Sequence, residues 1–366
     1  MPNPEEQIRE IEEEIKNTPY NKKSQHHIGL LKAKMARLKL ETEKRKSAGG
    51  GGEGYGVKKS GNATVALVGF PSVGKSTVLN KITNAQSEVA AYAFTTLTVI
   101  PGLLEYGGAK IQVLDLPGLI RDASKGKGRG REVISVVRTA DLIVLMVDVF
   151  ENNVSVLTGE LFQSGIRVNS RPPNVSIARK SRGGINVSYT IHDPTLSERD
   201  IKGILSEFGT YNAEVVVREN VDADGLIDAI TGNRTYVPAF VCINKVDLTD
   251  GTTLEKLRKK LIDFDPIAIS AEKGTGLEEL KRKIYDTLRF VRVYMKPPGQ
   301  EADMKEPLLV KGGSTVSDVC EMLHRDLRRK FRYALVWGPS SRFPGQTVGA
   351  DHKMKDGDIL SIIARR

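Results

Sequence analysis

The sequence has only two cysteines, Cys242 and Cys320, among its 366 residues. Two cysteines cannot build a disulfide framework or a cysteine-rich metal site. Long apolar runs are also missing: residues 142–147 form one of the longest, whereas a membrane-spanning helix needs about 20 such residues. The first residues mix charged side chains with isoleucines and lack the apolar core of a secretory signal. We therefore expect a cytoplasmic protein without a membrane partner.

Basic residues are in excess. The chain carries 55 Lys and Arg residues against 45 Asp and Glu residues, which gives a formal charge of +10. Such a balance favours polyanionic partners but does not bear on the fold. In a cytoplasm the natural polyanion is RNA, so we expect RNA and not DNA as a partner. A merely soluble basic protein is the alternative interpretation of the same charge.

The chain is longer than a single hydrophobic core supports, so several folding units are expected. Asn3, Pro4 and Glu6 form a helix-start signature, and apolar residues at helical spacing follow. This pattern predicts a helical hairpin over residues 1–48. Six of the eight residues 49–56 are glycine, which predicts a linker over residues 49–61. As a phosphate-binding loop this stretch would need a preceding strand, and the sequence predicts none.

From residue 63 onward, short apolar strands alternate with helical segments, as in a parallel sheet with helices on both faces. The gap between the strands near residues 142–147 and 239–243 is roughly ninety residues, far more than a crossover helix needs. An inserted small α/β domain is therefore predicted over residues 165–233. The predicted strands are residues 65–68, 111–114, 142–147, 239–243 and 267–269, with 186–191 and 213–217 in the insert. The predicted helices are residues 197–208, 277–288 and 317–329.

The first chemical motif follows the strand at residues 65–68 and precedes a helical run. It reads GFPSVGKS over residues 69–76. In this context the glycines let backbone N–H groups surround phosphate oxygens, Lys75 neutralises the β- and γ-phosphates, and the Ser76 hydroxyl binds Mg²⁺. The residues expected to contact the nucleotide here are Gly69, Pro71, Ser72, Val73, Gly74, Lys75, Ser76 and Thr77.

A second motif begins at Asp115, which ends the next strong strand. Its carboxylate can hold Mg²⁺ through water, and the Gly118 N–H can sense the γ-phosphate. Thr95 and Thr96 lie in the preceding loop, where one threonine hydroxyl would complete the magnesium coordination; spacing does not choose between them. The candidate magnesium ligands are Ser76, Asp115 and Thr96, with Thr95 as the alternative to Thr96. The candidate catalytic residues are Lys75, Thr95, Thr96 and Gly118.

A third motif, Asn244-Lys245-Val246-Asp247, closes the strand at residues 239–243. The Asp247 carboxylate can accept both N1–H and the 2-amino group of guanine, whereas adenine offers no such donor pair. Asn244 can brace the loop, and the Lys245 stem can cover the base. Three further candidates follow the next strand: Ser270, Ala271, whose N–H can donate to guanine O6, and Glu272. Together the motifs predict GTP and GDP as ligands.

These motifs resemble those of TRAFAC GTPases, and within them the Obg group and its developmentally regulated GTP-binding proteins. The likeness rests on residues 69–77, on FTTL at 94–97 and on DLPGLI at 115–120. Residues 308–310, 315–319 and 352–359 are similar to a TGS domain, which implies a small β-grasp fold over residues 290–366. The resemblance implies an α/β fold, with the doubly wound sheet of a P-loop GTPase over residues 62–164 and 234–289. It covers nearly the whole chain.

One position bears on the rate of hydrolysis. Many GTPases place a glutamine after Asp-x-x-Gly to orient the attacking water, but here the side chain of Leu119 can neither donate nor accept a hydrogen bond. We therefore expect slow hydrolysis of GTP to GDP and phosphate, accelerated by a partner or an ion. Obg relatives with asparagine at the position of Ser72 can use potassium. Ser72 departs from that pattern, so K⁺ is an alternative that this residue disfavours.

The resemblance also implies work on ribosomes or other RNA–protein particles of translation, with a protein partner for stability or activation. We expect the C-terminal unit to contact RNA and the hairpin to bind or orient the protein partner. The arginines expected at the RNA are Arg325, Arg328, Arg329 and Arg332. The stretch 121–131 contains five basic residues, which either contact a polyanion or solvate a loop: Arg121, Lys125, Lys127, Arg129 and Arg131. Two rival functions remain: a nucleotide-gated RNA- or ribosome-binding module with negligible hydrolysis, and an ATPase, which Asp247 disfavours.

Overall fold

The computed structural model describes residues 3–19, 21, 24–48, 61–83, 100–116 and 130–365. The chain divides into two compact units. One combines Met1–Tyr55 with Gly165–Tyr236, and the other combines Gly56–Ser164 with Val237–Arg366.

The described helices and strands are as follows, in chain order. The helices are α1 Pro4–Asn17, α2 Gln25–Ala48, α3 Lys75–Ile82, α4 Gly130–Val137, α5 Val154–Gln163, α6 Glu198–Glu207, α7 Ala223–Thr231, α8 Gly251–Lys260, α9 Leu277–Leu288, α10 Val316–Leu323 and α11 Arg325–Lys330. The strands are β1 Ala63–Gly69, β2 Ile100–Tyr106, β3 Ala109–Asp115, β4 Leu142–Asp148, β5 Ile166–Val168, β6 Val175–Arg179, β7 Ile185–Tyr189, β8 Ala213–Val217, β9 Thr235–Val237, β10 Ala239–Asn244, β11 Ile267–Ala268, β12 Phe290–Met295, β13 Leu308–Lys311, β14 Phe331–Trp337, β15 Gln346–Val348 and β16 Asp358–Ala364.

A six-stranded sheet forms the centre of the second unit, in the order β11-β10-β4-β1-β3-β2. Every residue of β1, β4 and β10 is buried, as expected for parallel strands that helices cover on both faces. The pairs β1 with β3, β1 with β4, β4 with β10 and β10 with β11 are parallel. The carboxyl ends of these strands therefore meet at one edge of the sheet, where α/β proteins bind ligands.

The edge strand β2 was not predicted. It runs antiparallel to β3, so the sheet is mixed and not parallel throughout. Two residues, Gly107 and Gly108, form the turn between these strands, with φ of 58° and 82°. A two-residue turn with both φ values positive matches the twist of a hairpin and favours glycine. That glycine pair is the signal in the sequence that indicates the strand.

The C-terminal part of the same unit is a five-stranded sheet in the order β13-β12-β16-β14-β15. Its core comes from both sheet and helix, with Val293, Val319, Val336 and Leu360 buried together. The prediction of one helix over residues 317–329 is wrong. His324 is extended, with φ −166° and ψ 133°, and its side chain accepts the N–H of Asp326, so α10 ends and α11 begins there.

The other unit joins the N-terminal hairpin to the insert. In the hairpin, Ile11 of α1 packs against Leu31 and Leu38 of α2. Ala33, also on α2, belongs to the buried core that the insert forms with α6, α7 and the sheet β6-β8-β7. Two polar contacts flank this packing: Nδ1 of His26 lies 2.7 Å from Oδ1 of Asp200, and the Lys32 ammonium lies 2.6 Å from Oδ2 of Asp224. The hairpin and the insert therefore share one core.

None of the helices within the described part of the chain is long and apolar enough to span a membrane.

Candidate functional site

The phosphate-loop motif lies between β1 and α3, at the ligand-binding edge of the six-stranded sheet. Gly74 adopts a left-handed conformation with φ 91° immediately before α3, and Ser72 is also left-handed with φ 65°. Pro71, Ser72, Ser76 and Thr77 are exposed, whereas Val73 is buried. The loop thus turns its backbone and small polar side chains outward, at the amino end of a helix, where anions bind favourably.

Lys75 is the first residue of α3 and is largely buried, with 8% of its surface exposed. Its ammonium donates to the carbonyl oxygens of Gly69 at 3.0 Å and Phe70 at 2.9 Å. Burial lowers the pKa of Lys75, and the nearby Asp115 carboxylate opposes that shift. A desolvated ammonium whose hydrogen bonds go to neutral carbonyls is well suited to exchange them for phosphate oxygens.

Ser76 and Asp115 lie together at the same edge. The Ser76 hydroxyl donates a hydrogen bond to Oδ2 of Asp115. The pairing of Leu67 with Asp115 across β1 and β3 fixes this proximity. A hydroxyl and a carboxylate are hard oxygen donors of the kind that Mg²⁺ prefers, so the two residues fit a magnesium site. Within the described ranges, no cluster of three or more His, Cys, Asp or Glu side chains could hold a metal by itself.

Three predicted residues, Thr95, Thr96 and Gly118, lie outside the described residues, as does Leu119.

Asn244 connects three loops of the site. It is 3% exposed, and its Nδ2 donates to the Val73 carbonyl oxygen at 3.0 Å. Its Oδ1 accepts the Ala271 N–H at 3.0 Å. The sequence predicts that Asn244 braces the loop, and these two hydrogen bonds are contacts of that kind. The Ala271 N–H, predicted to donate to guanine O6, here donates to Asn244 instead.

Asp247 lies in the short 3₁₀ turn Val246–Leu248 and keeps 14% of its side chain exposed. A hydrogen bond from Ser270 holds the pKa of the Asp247 carboxyl below its usual range, and the charge of Lys273 contributes. The Lys273 ammonium is 3.8 Å from Oδ2 of Asp247. Glu272, which precedes Lys273 in the sequence, is exposed. Asp247 is therefore ionised at neutral pH, as an acceptor of two guanine N–H donors must be.

Sequence reasoning missed Asp148, the last residue of β4. Its Oδ2 accepts the Lys245 ammonium at 2.7 Å, and its Oδ1 accepts the N–H groups of Phe150 and Glu151. Burial opposes the ionisation of Asp148, but these hydrogen bonds outweigh it and lower its pKa. The sequence feature that could have indicated Asp148 is a carboxylate directly after six apolar strand residues. In the sheet this strand lies next to the one that carries the guanine motif.

Comparison with known proteins identifies related domains in this chain. Residues 64–180 match the family described as 50S ribosome-binding GTPase, and residues 182–290 match the C-terminal region of that domain. Residues 291–364 match the TGS domain. The fold and these matches define a P-loop GTPase that carries a C-terminal TGS domain.

Relatives that match nearly the whole chain identify a family within this class of GTPases. Developmentally-regulated GTP-binding protein 2 of Homo sapiens is 44% identical over 98% of this chain and 99% of its own length. An uncharacterised GTP-binding protein of Methanocaldococcus jannaschii is 56% identical over 99% of this chain and 93% of its own. The chain belongs to the family of developmentally regulated GTP-binding proteins.

Two solved structures are among those similar to this chain. The YchF GTPase of Schizosaccharomyces pombe is 14% identical, with a TM-score of 0.45 over 84% of this chain and 99% of that chain. A GTP-binding protein of Pyrococcus horikoshii is 16% identical, with a TM-score of 0.41 over 82% and 100%.

Proposed function

We propose that this chain binds GTP with Mg²⁺ and hydrolyses it slowly to GDP and phosphate. The observation that carries the proposal is the link through Asn244, which ties the phosphate loop at Val73 to the guanine motif. An ionised Asp247 stands three residues further on and is proposed to accept the two N–H donors of the guanine base. A site built this way holds a phosphate chain and a guanine at a fixed separation.

The proposed roles follow from the contacts. Lys75 exchanges its two carbonyl partners for β- and γ-phosphate oxygens and stabilises the charge that develops on them. Ser76 and Asp115 hold Mg²⁺, which neutralises phosphate charge when bound. Thr95 or Thr96 completes that coordination, and the Gly118 N–H senses the γ-phosphate. Slow turnover is proposed because the side chain at position 119 is leucine, which cannot orient a water by a hydrogen bond.

The enzymatic test is phosphate release under multiple turnover, with the Lys75→Ala variant as the background. Release from GTP above that background, and little from ATP, supports the proposal. Release equal to the background, with GTP still bound, would favour the nucleotide-gated binding module. Preferential binding of ATP would favour an ATPase. Adding K⁺ in place of Na⁺ tests whether potassium accelerates a site that has serine at position 72.

We also propose that the TGS domain docks the protein on an RNA-containing particle of translation in the cytoplasm. The match to ribosome-binding GTPases supports this role. The last turn of α11 exposes three basic residues, Arg328, Arg329 and Lys330. Arg328 forms an ion pair with Glu321, which would compete with an RNA phosphate for this arginine. Arg332 lies over the Tyr333 ring.

Co-sedimentation with ribosomal particles tests the docking role. Changing Arg328 and Arg329 together to Glu should reduce binding. The slope of log affinity against log salt concentration should become shallower by about one for each arginine–phosphate contact that is lost. GTP affinity should stay unchanged. The matched variant changes Arg179 and Arg182, two exposed basic residues of the insert, to Glu. Loss of binding in that variant alone would place the docking surface on the insert.

The hairpin is the proposed site for a protein partner. One side of α2 is occupied by the insert, whereas α1 keeps Glu6, Glu10 and Glu13 exposed. A partner that binds there should lose affinity when these three residues become Lys. Its binding should not change when Arg328 and Arg329 become Glu.

A further inference from the structure

Asp148 lies outside every nucleotide motif of the sequence, yet it stands beside the guanine motif in the sheet. Across the parallel strands β4 and β10, Asp148 pairs in register with Asn244. Only 7% of Asp148 is exposed. Its carboxylate is therefore a buried charge at the edge where the base is bound, and such a charge requires partners.

One of these partners is the side chain of Lys245, 97 positions away in the sequence. The Lys245 backbone is left-handed, with φ 62°, and its ammonium reaches back to Oδ2 of Asp148 at 2.7 Å. The Lys245 side chain is 31% exposed and the Asp148 side chain 10%. The charged end is thus held by the protein, while part of the Lys245 side chain remains accessible, two residues before Asp247 in the sequence.

A free lysine stem samples many rotamers and loses that freedom when it covers a ligand. Anchoring the ammonium beforehand restricts the stem before the ligand arrives, and such preorganisation increases affinity. The ion pair is partly shielded from solvent, so water and salt screen it less than they would a fully exposed pair.

We propose that Asp148 is a positioning residue for guanine binding, which anchors the Lys245 ammonium so that the lysine stem stands ready along one side of the base. The inference rests on the proposed guanine site at Asp247. Asp148 acts through Lys245 and does not contact the nucleotide.

The competing explanation is that Asp148 only shapes its own loop. Its Oδ1 accepts the N–H groups of Phe150 at 3.1 Å and Glu151 at 2.9 Å, as a turn-forming aspartate does. Asp148→Asn separates the two roles: the amide oxygen still accepts both N–H groups, but the anion that holds the ammonium is gone.

The test is a double-mutant cycle on the dissociation rate of a fluorescent GDP analogue with Mg²⁺. Asp148→Asn should accelerate dissociation by about three- to tenfold, the size of a typical coupling between neighbouring residues. Lys245→Met keeps an apolar stem without the ammonium and should accelerate it at least as much. The double variant should be no faster than Lys245→Met. An equal acceleration by Asp148→Asn in both backgrounds would show that Asp148 acts through its loop alone.

A second variant keeps the proposal testable if Asp148→Asn folds poorly, which thermal melting detects. Lys245→Arg retains a cation within reach of Asp148 and should dissociate GDP more slowly than Lys245→Met. Equal rates for these two variants and the wild type would overturn the inference.

The matched control is Asp141→Asn, just before the opposite end of the same strand. Asp141 also accepts a backbone N–H, from Thr64, and a lysine ammonium, from Lys311. Its variant should leave GDP dissociation unchanged. Failure of the wild type to prefer GDP over ADP would instead remove the proposed guanine site itself, so the two failures are distinguishable.

Discussion

The side-chain amide of Asn244 donates to the carbonyl oxygen of Val73, 171 positions earlier in the chain. The same side chain accepts the Ala271 N–H. One buried amide thus holds the phosphate loop at a set distance from the guanine motif, because its nitrogen and its oxygen each form a hydrogen bond with a different loop.

This contact predicts the behaviour of Gly74. A Cβ at this position would lie 2.3 Å from Nδ2 of Asn244, on a backbone with φ 91° that other residues rarely adopt. Gly74→Ala should therefore cost about 1–3 kcal/mol of stability and displace Asn244. GDP affinity should fall by at least about tenfold, a loss of roughly 1.4 kcal/mol. Titration calorimetry and thermal melting measure both effects.

The control for Gly74→Ala is Gly159→Ala. Gly159 lies within α5 with open space around it. Alanine there should stabilise the protein by up to about 1 kcal/mol and leave GDP affinity alone. Wild-type GDP affinity in Gly74→Ala would mean that the Asn244 brace is dispensable.

Base preference should depend on the Asp247 carboxylate. Asp247→Asn exchanges one acceptor for a donor, which suits the 2-oxo group of xanthine and leaves a guanine donor unmatched. GDP affinity should fall by about a hundredfold or more while XDP affinity rises. Competition binding with GDP and XDP measures the exchange. Asp250→Asn, at an exposed carboxylate just before α8, should keep the wild-type preference.

Alkaline pH should weaken nucleotide binding through Lys75. Burial lowers the pKa of Lys75 in the free protein, and phosphates would favour its charged form, so the pKa rises on binding. Binding then takes up a proton, and affinity declines as pH rises through the free-protein pKa, which lies below the usual 10.5. Deprotonation of guanine also weakens binding there. Lys75→Arg shares only that second effect and should show a shallower decline of GDP affinity with pH; an equal slope would exclude titration of Lys75.

Neither cysteine should react in the native protein. Cys242 and Cys320 have no exposed surface, and burial raises the pKa of both thiols, which suppresses the reactive thiolate. A thiol reagent should label neither until denaturant is added, and then label both. An added cysteine at the exposed Ser181 serves as the reactive reference. Rapid native labelling of Cys320 would show that the TGS core opens frequently.

The strands that carry the site were predictable because burial on both faces gives them uninterrupted apolar sequences, as in β1 and β4. Motifs that follow such strands must meet at one edge of a parallel sheet, so topology alone brings Lys75, Asp115 and Asn244 to that edge. The strand β2 was missed because Pro101 and Gly102 interrupt its apolar pattern.

Other features depend on contacts that no local pattern reveals. The pair of Asp148 with Lys245 requires the register between β4 and β10. The break at His324 arises from a side-chain cap inside a stretch with helical periodicity. The packing of α2 against the insert uses Gly203, where a Cβ would lie 2.9 Å from Leu30. A small residue on a helix predicts close approach, but not to which neighbour.

The core shared by the hairpin and the insert has a consequence for synthesis of the chain. His26 and Asp200, which meet across it, are 174 positions apart. At the usual pace of translation, that separation corresponds to roughly 10–35 s. Throughout that interval α2 has been synthesised but α6 and α7 of the insert, which pack against it, have not. The strands β1, β3 and β4 are synthesised in between. The helix α2 can therefore pack against α1 well before it can pack against the insert. Contacts between residues so far apart in the sequence slow folding.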